Sequence, residues 1–465
     1  MLPTQRALLK TRNALVEPHA LSLLFGFLLE GPLDQSALRL TFQDLVRRHE
    51  PLRACYLDSA TFSDTQLQNE GEFGFRSAPI SHTQVWSILR EWARLAFNAP
   101  PLLRAMCVNL APDEHLLLLA FDHLAIDGWG LELLAAEAEQ LYAAHLARRT
   151  PCLAALPAGQ LALLDSEITA WSGGTQAQME VRRRRAELQG IALRSVHPFG
   201  DAHELPSKLR RRVLNIPTNA LERWRASSRA AGLTLFPALL AATAVTLCKL
   251  RDLDEVVIGG LVANRHTSLA QRTLGAQYSE TIFRISCPPG TSVKAAREQA
   301  AQQQMASLVH RIDTCMVARL LADGARASRP ILPSCMVIMD RHPLNRLVFE
   351  DLTVTPLSTI LSSAEDLSRD QDIAVPPTAD LVLFLRQFEQ AAGLTVFWNP
   401  QRIPDIAELL RILEQNLGEF GGALASPMEA LAITGGLTPC AWNESGWTAA
   451  APTADALSPP PWFAE

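Results

Sequence analysis

Residues 115–121 read HLLLLAF, and residues 122–130 continue the chain as DHLAIDGWG. The nearly unbroken run of apolar side chains in the first stretch predicts a buried strand. The Ala-, Leu- and Glu-rich residues 131–149 that follow predict a helix. The polar segment between them therefore lies where a strand ends and a helix begins, which is where ligand chemistry tends to sit in α/β sheets.

Three residues of this segment point to chemistry. His123 can act as a general base, because imidazole titrates near neutral pH. Asp127 can fix a neighbouring element through an ion pair, and Gly128 permits a tight turn where a Cβ would obstruct the backbone. A packed histidine and a plain turn glycine are the alternatives that these residues alone leave open.

Strands and helices are mixed along the chain, which predicts an α/β protein. Buried strands are predicted at residues 20–29, 52–57, 254–265 and 334–340, a hairpin at residues 380–400, and helices at residues 34–49, 236–250 and 406–420. The segment SGGT at residues 172–175 is a plausible break between two halves. We therefore divide the chain into an N-terminal lobe (1–174), a C-terminal lobe (175–437) and a Pro/Ala-rich, loosely held tail (438–465).

The composition excludes several classes of protein. Forty-two Lys and Arg residues against 48 Asp and Glu residues give a formal charge of −6, which does not favour a nucleic-acid binder. Hydrophobic residues at 48% and charged residues at 19% are enough for a large core and exclude global disorder. We expect a monomer.

The eight cysteines predict neither a metal site nor a secreted protein. None of them forms a CxxC or CxH pair, so we expect no structural zinc site. Their scatter through apolar stretches is typical of reduced thiols in a cytoplasmic protein. The early apolar stretch at residues 20–29 is about half as long as a membrane span requires, so no membrane association is expected.

The segment at residues 122–128 resembles the core motif HHxxxDG of nonribosomal peptide synthetase condensation domains, which belong to the chloramphenicol acetyltransferase-like superfamily. His123 matches the second histidine, the one that this family uses, and Asp127 and Gly128 match the last two positions. Asp122 replaces the first histidine.

Other motifs of that family follow in the expected order over about residues 1–435. They are PTQRALL with Gln5, RHEPLRACY at residues 48–56, LLDSEITAW ending at Trp171, VIGGLVANR ending at Arg265, and LGAQYSETIFR with Ser279 where asparagine is usual. The resemblance implies two chloramphenicol acetyltransferase-like lobes, arranged as a V-shaped pseudo-dimer with a central tunnel.

The resemblance also implies roles for individual residues. His123 would deprotonate or orient an attacking amine or alcohol, and Asp127 would be structural, paired with Arg265 or, as a second candidate, with Arg53. Gly128 would place its backbone N–H near the tunnel. The side chains expected to line the tunnel are those of Asp122, Trp129 and Ser279. For Asp122, a hydrogen bond to local backbone and an electrostatic effect on the site both stay open.

The donor and partners follow from the same resemblance. Phosphopantetheine arms of acyl or peptidyl carrier proteins would enter the tunnel, and the chain itself would bind no cofactor. The basic runs at residues 182–185 and 210–212 are either a docking patch for an acidic carrier or a solvated surface beside Glu180 and Glu187. His49 is interpreted as a packed or capping residue rather than a base.

The function predicted from the sequence is that of a free-standing condensation enzyme, which forms an amide or an ester. The sequence shows neither an adenylation-type phosphate loop nor a carrier serine motif, so the enzyme would act in trans on substrates tethered elsewhere. A CoA-dependent O- or N-acyltransferase of the same superfamily and a non-catalytic recruitment domain are the alternatives. An epimerisation domain is a weaker one, because no EGHGRE-like segment is present.

Overall fold

The chain is described by a computed structural model. It covers residues 4–5, 8–9, 21–56, 73–76, 88–89, 91–92, 95–97, 99–172, 174–200, 209–309, 333–341, 344, 347–356, 371–373, 379–387, 392–424, 440–443 and 446–449.

The first sheet contains β1 (Ser22–Glu30), β2 (Phe73–Arg76), β3 (Leu103–Ala111), β4 (Glu114–Asp122) and β9 (Thr353–Pro356). The strands are ordered β2-β3-β4-β1-β9, and all neighbours are antiparallel except the parallel pair β2 and β3. β4 lies between two partners and is buried from its second residue onward, which explains its unbroken apolar sequence.

The second sheet contains β5 (Leu209–Ile216), β6 (Glu255–Ala263), β7 (Tyr278–Ser286), β8 (Cys335–Arg341), β10 (Gln371–Ile373), β11 (Leu381–Gln387) and β12 (Ala392–Trp398). Its order is β10-β5-β12-β11-β8-β6-β7, with β8 parallel to both of its neighbours. β11 and β12 form the predicted hairpin, with Leu381 opposite Trp398.

Helices cover one side of each sheet. They are α1 (Gln35–Arg48), α2 (Gly128–Leu146), α3 (Gln160–Ser172), α4 (Thr175–Leu188), α5 (Leu193–Val196), α6 (Thr218–Ala230), α7 (Phe236–Arg251), α8 (Ser268–Arg272), α9 (Val293–Val309) and α10 (Ile406–Gly418). The helices predicted over residues 34–49, 131–149, 236–250 and 406–420 are confirmed, with ends shifted by a few residues.

Local sequence explains where these helices begin. Asp34 accepts hydrogen bonds from the backbone N–H groups of Ser36 and Ala37, and thereby caps α1. Pro237 occupies the first turn of α7, where a missing N–H costs nothing. The apolar stripe of α1 packs with α2 into the core of the first lobe, whereas α7 is buried almost all round in the core of the second.

The strand predicted over residues 52–57 is wrong: over the described residues 52–56 the chain forms a 3-10 turn and irregular backbone, with a single bridge at Cys55. Glu50–Leu52 is a 3-10 turn, in which the N–H of Leu52 donates to the carbonyl of His49 at 3.1 Å. Pro51 favours this turn because its ring fixes φ near −65°. An apolar run cannot by itself show that its first residue lies in a turn.

The proposed lobe boundary at residue 174 stays a prediction. β9 follows that boundary in sequence by almost 180 residues, yet it pairs with β1, with Phe27 opposite Pro356. Within the predicted tail, β13 (Cys440–Asn443) and β14 (Gly446–Ala449) form a hairpin, and the rest of residues 438–465 lies outside the described chain. None of the helices described above is both long and apolar enough to cross a bilayer.

Candidate active site

Asp122, the last residue of β4, holds the loop between β4 and α2 in place. The carboxylate of Asp122 accepts a hydrogen bond from the N–H of Leu124 at 2.8 Å, and its carbonyl accepts one from Ala125 at 2.9 Å. Asp122 is buried, so this hydrogen bonding to local backbone is the role that the geometry shows. Its place in the lining of a tunnel stays a prediction.

His123 is held in one tautomer. Its Nδ1 lies 2.9 Å from the carbonyl oxygen of Ile126, and because a carbonyl only accepts, Nδ1 must carry the proton. In the neutral imidazole, the other ring nitrogen, Nε2, then carries the lone pair. The side chain is half-buried, and the backbone N–H donates to Leu21 at the start of β1. The imidazole is therefore prepared to accept a proton.

Asp127 receives three hydrogen bonds. Its Oδ1 accepts the N–H of Gly130 at 2.9 Å, which caps α2, and lies 2.6 Å from Nη2 of Arg265. Its Oδ2 accepts the backbone N–H of Gln277 at 2.9 Å. Of the two partners considered from the sequence, Arg265 rather than Arg53 makes the ion pair.

Arg265 is buried together with Asp127. Its Nη1 donates to the carbonyls of Ala270 and Thr273 at 2.5 and 2.6 Å, and its Nη2 also donates to Gly275 at 3.2 Å. Burial lowers the pKa of Arg265, and the charge of Asp127 opposes that effect. Because Asp127 caps α2 and Arg265 follows β6, the pair ties the loop after β4 of the first sheet to the segment after β6 of the second sheet.

The segment after Arg265 adds contacts that the sequence did not reveal. The side chain of Leu274 packs into the core of the first lobe. The N–H of Ala276 donates to the carbonyl of Leu124 at 3.4 Å. The Gln277 amide reaches the carbonyl of Thr273 at 2.8 Å. Backbone N–H groups occur at every non-proline residue, so no sequence signal marks the one that reaches Asp127.

Gln5 of the PTQRALL motif and Tyr56 of the RHEPLRACY motif both lie at the loop between β4 and α2. The side-chain amide of Gln5 donates to the hydroxyl of Tyr56 at 3.1 Å and to the carbonyl of Leu124 at 2.9 Å. Burial raises the pKa of Tyr56, so its hydroxyl stays neutral. Gln5 and Tyr56 therefore support the loop rather than take part in chemistry.

Gly128 and Trp129 begin α2 at the junction of the lobes. Gly128 is half-buried, and Trp129 is 44% exposed. The indole N–H of Trp129 donates to the carbonyl of Gln271 at 3.0 Å, and the guanidinium of Arg265 lies 5.9 Å from the ring centroid. Trp129 thus bridges the two lobes, and its role in lining a tunnel stays a prediction.

Tyr278, which the sequence analysis missed, is the β7 residue beside His123. The two ring centroids are 5.8 Å apart, with the planes tilted by 42°. Side chains alternate along β7, and its register with β6 is uninterrupted. Ser279 therefore lies on the opposite face, the one from which Phe283 enters the core of the second lobe. The expectation that Ser279 lines a tunnel stays untested.

His49 is structural, as the sequence suggested. It is fully buried, and its Nε2 lies 2.7 Å from Oε2 of Glu137. Arg48 binds the same carboxylate through two hydrogen bonds of 2.9 and 3.2 Å. Burial alone would raise the pKa of Glu137, but hydrogen bonds and charge from His49 and Arg48 lower it. This cluster joins α1 to α2.

Two of the four arginines in the first basic run are paired within their own helix. Arg183 and Arg184 both pair with Glu180 and Glu187 along α4. In the second basic run, the guanidinium of Arg212 lies over the ring of Trp398 at 5.6 Å. These contacts support the interpretation of both runs as ordinary protein surface.

Metal ligands and thiols can be assessed over the described residues, where Cys152 is the exposed free cysteine and Cys55 is half-buried. Over the ranges given above, no three His, Cys, Asp or Glu side chains are grouped as a metal site would require. Cys107, Cys248, Cys287 and Cys335 are buried, and burial raises the pKa of the Cys107 thiol to about 12.

Gly130 is required by close packing at this site. A Cβ added there would lie 2.9 Å from Cγ1 of the buried Ile126 and 3.3 Å from Cδ2 of Leu274. We expect Gly130→Ala to lower the free energy of unfolding by about 1–3 kcal/mol through overpacking, although alanine normally favours a helix. Urea titration followed by circular dichroism measures the change.

The control for that variant is Gly418→Ala. Gly418 ends α10, and an added Cβ meets nothing within 4 Å. It should be neutral or stabilising. Equal stability of the Gly130→Ala and wild-type proteins would show that Ile126 and Leu274 can move aside at no cost.

Known sequences match the part of the chain that carries the β4–α2 loop. Residues 1–157 match the family described as Condensation domain. The chain is 25% identical over 360 residues to cyclosporin synthetase of Tolypocladium inflatum, and 25% identical over 297 residues to malpinin synthetase of Mortierella alpina. These alignments cover 73% and 61% of this chain but only 2% and 4% of the relatives, so the chain spans a small part of their length.

Solved structures show the same fold. A mutant of the starter condensation domain of rhizomide synthetase RzmA, in complex with C8-CoA, has a TM-score of 0.69 at 15% identity, covering 92% of this chain and 96% of that one. The first condensation domain of the calcium-dependent antibiotic synthetase, in complex with a substrate analogue, gives 0.67 at 16% identity, covering 90% and 96%. The predicted chloramphenicol acetyltransferase-like α/β fold is confirmed.

Proposed function

From the premise that this chain is a relative of nonribosomal peptide synthetase condensation domains, in fold and in the sequence of residues 1–157, we propose that it is an acyltransferase acting on carrier-bound thioesters. It would move an acyl or peptidyl group from the phosphopantetheine arm of a carrier protein to an amine or alcohol. The product is an amide or an ester in nonribosomal peptide or hybrid polyketide biosynthesis.

One observation carries the proposal: the hydrogen bond from His123 Nδ1 to the carbonyl of Ile126, which in the neutral imidazole places the lone pair on Nε2. Nε2 would accept the proton of the nucleophile as its nitrogen or oxygen bonds to the thioester carbonyl carbon. The tetrahedral intermediate would then expel the pantetheine sulfur, which takes that proton back from the imidazolium. His123 is unchanged at the end of the cycle.

Asp127 and Arg265 would act by position rather than by contact with substrate. Both oxygens of the Asp127 carboxylate are occupied, by Arg265 and Gly130 on one side and by the Gln277 N–H on the other. The carboxylate holds the His123 loop against the second lobe, which fixes the base relative to any substrate between them.

A second candidate donor is free acyl-CoA. The rhizomide synthetase domain with this fold was solved with C8-CoA, and CoA carries the same pantetheine arm as a carrier protein. A non-catalytic recruitment domain would not need an imidazole oriented so that Nε2 can accept a proton. We therefore retain acyl-CoA as the alternative donor to be excluded.

The deciding experiment compares kcat/KM for one acyl group on a carrier protein, on CoA and on a short pantetheine thioester. Intact-protein mass spectrometry follows the loss of acyl group from the carrier with candidate amines and alcohols present. We expect the carrier to be preferred, and the preference to weaken with salt, because docking contacts between proteins are charge-assisted. Equal values for the three donors would reject the carrier partner and favour acyl-CoA.

The basic run on α4 gives a separate prediction. Arg182 and Arg185 are exposed, whereas Arg183 and Arg184 are paired with glutamates. We expect the double variant Arg182→Gln/Arg185→Gln to change kcat/KM for the carrier by less than about twofold, as exposed charges usually contribute little. A fall of tenfold or more, absent with the pantetheine thioester, would identify α4 as the docking surface.

A further inference from the structure

We propose that Tyr278 is a positioning residue for His123: its phenol ring keeps the imidazole turned so that Nδ1 faces Ile126 and Nε2 faces the reacting groups. This inference rests on the proposed function, in which His123 is the base. It adds a residue that belongs to neither the HxxxDG segment nor the Asp127–Arg265 pair.

The two rings are brought together by the ends of two strands. His123 follows the last residue of β4, and Tyr278 is the first residue of β7. Their centroids lie 5.8 Å apart at a tilt of 42°, and both side chains are half-buried. The Tyr278 ring therefore forms a wall beside the imidazole, and rotation of the imidazole about χ2 would bring it against that wall.

The position of Tyr278 is itself tightly set. The preceding residue, Gln277, donates its N–H to Asp127 at 2.9 Å. The hydroxyl of Thr4 donates to the carbonyl of Tyr278. Ala263 of β6 is the ladder partner of Tyr278. Asp127 thus anchors both groups, because it caps the helix after the His123 loop and also binds the residue before Tyr278.

Two physical effects follow from this arrangement. A ring confined on one side loses less rotational freedom when the transition state forms, since its orientation is already set. An aromatic ring within about 6 Å of a cation also attracts it, and His123 becomes an imidazolium when it accepts the proton of the nucleophile. Both effects come from the ring of Tyr278 and neither requires its hydroxyl.

The test separates the ring from the hydroxyl. We expect Tyr278→Phe to keep kcat within about twofold of wild type, and Tyr278→Leu to lower kcat about 10-fold with little change in KM. Nitrogen-15 NMR of histidine-labelled protein without substrate gives a second readout. The His123 signals, assigned by their loss in His123→Ala, should show protonated Nδ1 in wild type and Tyr278→Phe, and a mixture of tautomers in Tyr278→Leu.

Controls keep the two proposals apart. Ser286→Ala, at the exposed far end of β7, should match wild type in both readouts. A wild-type tautomer spectrum in folded Tyr278→Leu would overturn the positioning role, whatever the activity. Absence of transfer from every donor would reject the proposed function, while the NMR result still decides the role of Tyr278. If Tyr278→Leu fails to fold, Tyr278→Met and the nuclear Overhauser effect between the two rings in wild type replace it.

Discussion

We expect replacement of His123 with alanine to lower kcat by ~10²–10⁴-fold, the usual contribution of a positioned general base, and to leave the protein folded. The loss is large because Nε2 is the proton acceptor in the proposed reaction, and alanine supplies none. The fold survives because His123 is half-buried and its backbone hydrogen bond to Leu21 does not depend on the side chain. Single-turnover transfer from an acyl-loaded carrier, read by mass spectrometry, measures the effect.

A matched control is His145→Ala. His145 also belongs to α2 and contacts a polar partner, Asp44, at 2.8 Å, but it lies at the end of the helix far from the β4–α2 loop. This variant should keep normal transfer. Near-normal turnover by a folded His123→Ala protein would show that His123 is not the base and that acceptor orientation alone sustains the rate.

We expect replacement of Asp127 with asparagine to lower the free energy of unfolding by ~3–5 kcal/mol, the usual cost of removing one member of a buried ion pair. Arg265 has a side chain that is 1% exposed, so its charge would lose its anionic partner without gaining water. Asparagine can still cap α2 through its Oδ1, so the loss reports the ion pair together with the Gln277 hydrogen bond, because an NH2 group replaces the oxygen that accepts it. Urea unfolding measures it, and transfer activity should fall at least in step with the folded fraction.

Asp34→Asn is the control for the cap. Asp34 caps α1 through the N–H groups of Ser36 and Ala37, but its side chain is exposed. The change should cost a few tenths of a kcal/mol, since Asn and Asp cap equally well. An Asp127→Asn protein as stable as Asp34→Asn would mean that the Arg265 pair does not contribute to stability.

The central part of the site could be predicted from sequence because it is local. The apolar run of β4, the HxxxDG segment and the start of α2 are contiguous, and strand burial and helix capping follow from short-range patterns. The pairing of Asp127 with Arg265 was also foreseen, though only because the resemblance to a known family supplied the candidate. Spacing along the chain would not have joined residues 138 positions apart.

Three features could not be predicted in this way. Apolar character at residues 52–57 does not distinguish a strand from the turn that Pro51 starts. β9 pairs with β1 at the edge of the first sheet, and that edge exists only once the sheet has assembled. The face of the sheet on which Ser279 lies depends on the register of β7, because a shift of one residue would place Tyr278 on that face instead.

The sequence by itself determined the α/β class, the strand that carries the site, and the histidine at its end that is the proposed base. These depend on hydrophobic periodicity and on a few residues that are neighbours along the chain. Only the tertiary structure decided which groups surround that base: the Gln277 N–H on Asp127, the Gln5 amide on the Leu124 carbonyl, and the Tyr278 ring beside His123. Such contacts involve backbone groups or ordinary side chains, which acquire their roles only when distant segments pack together.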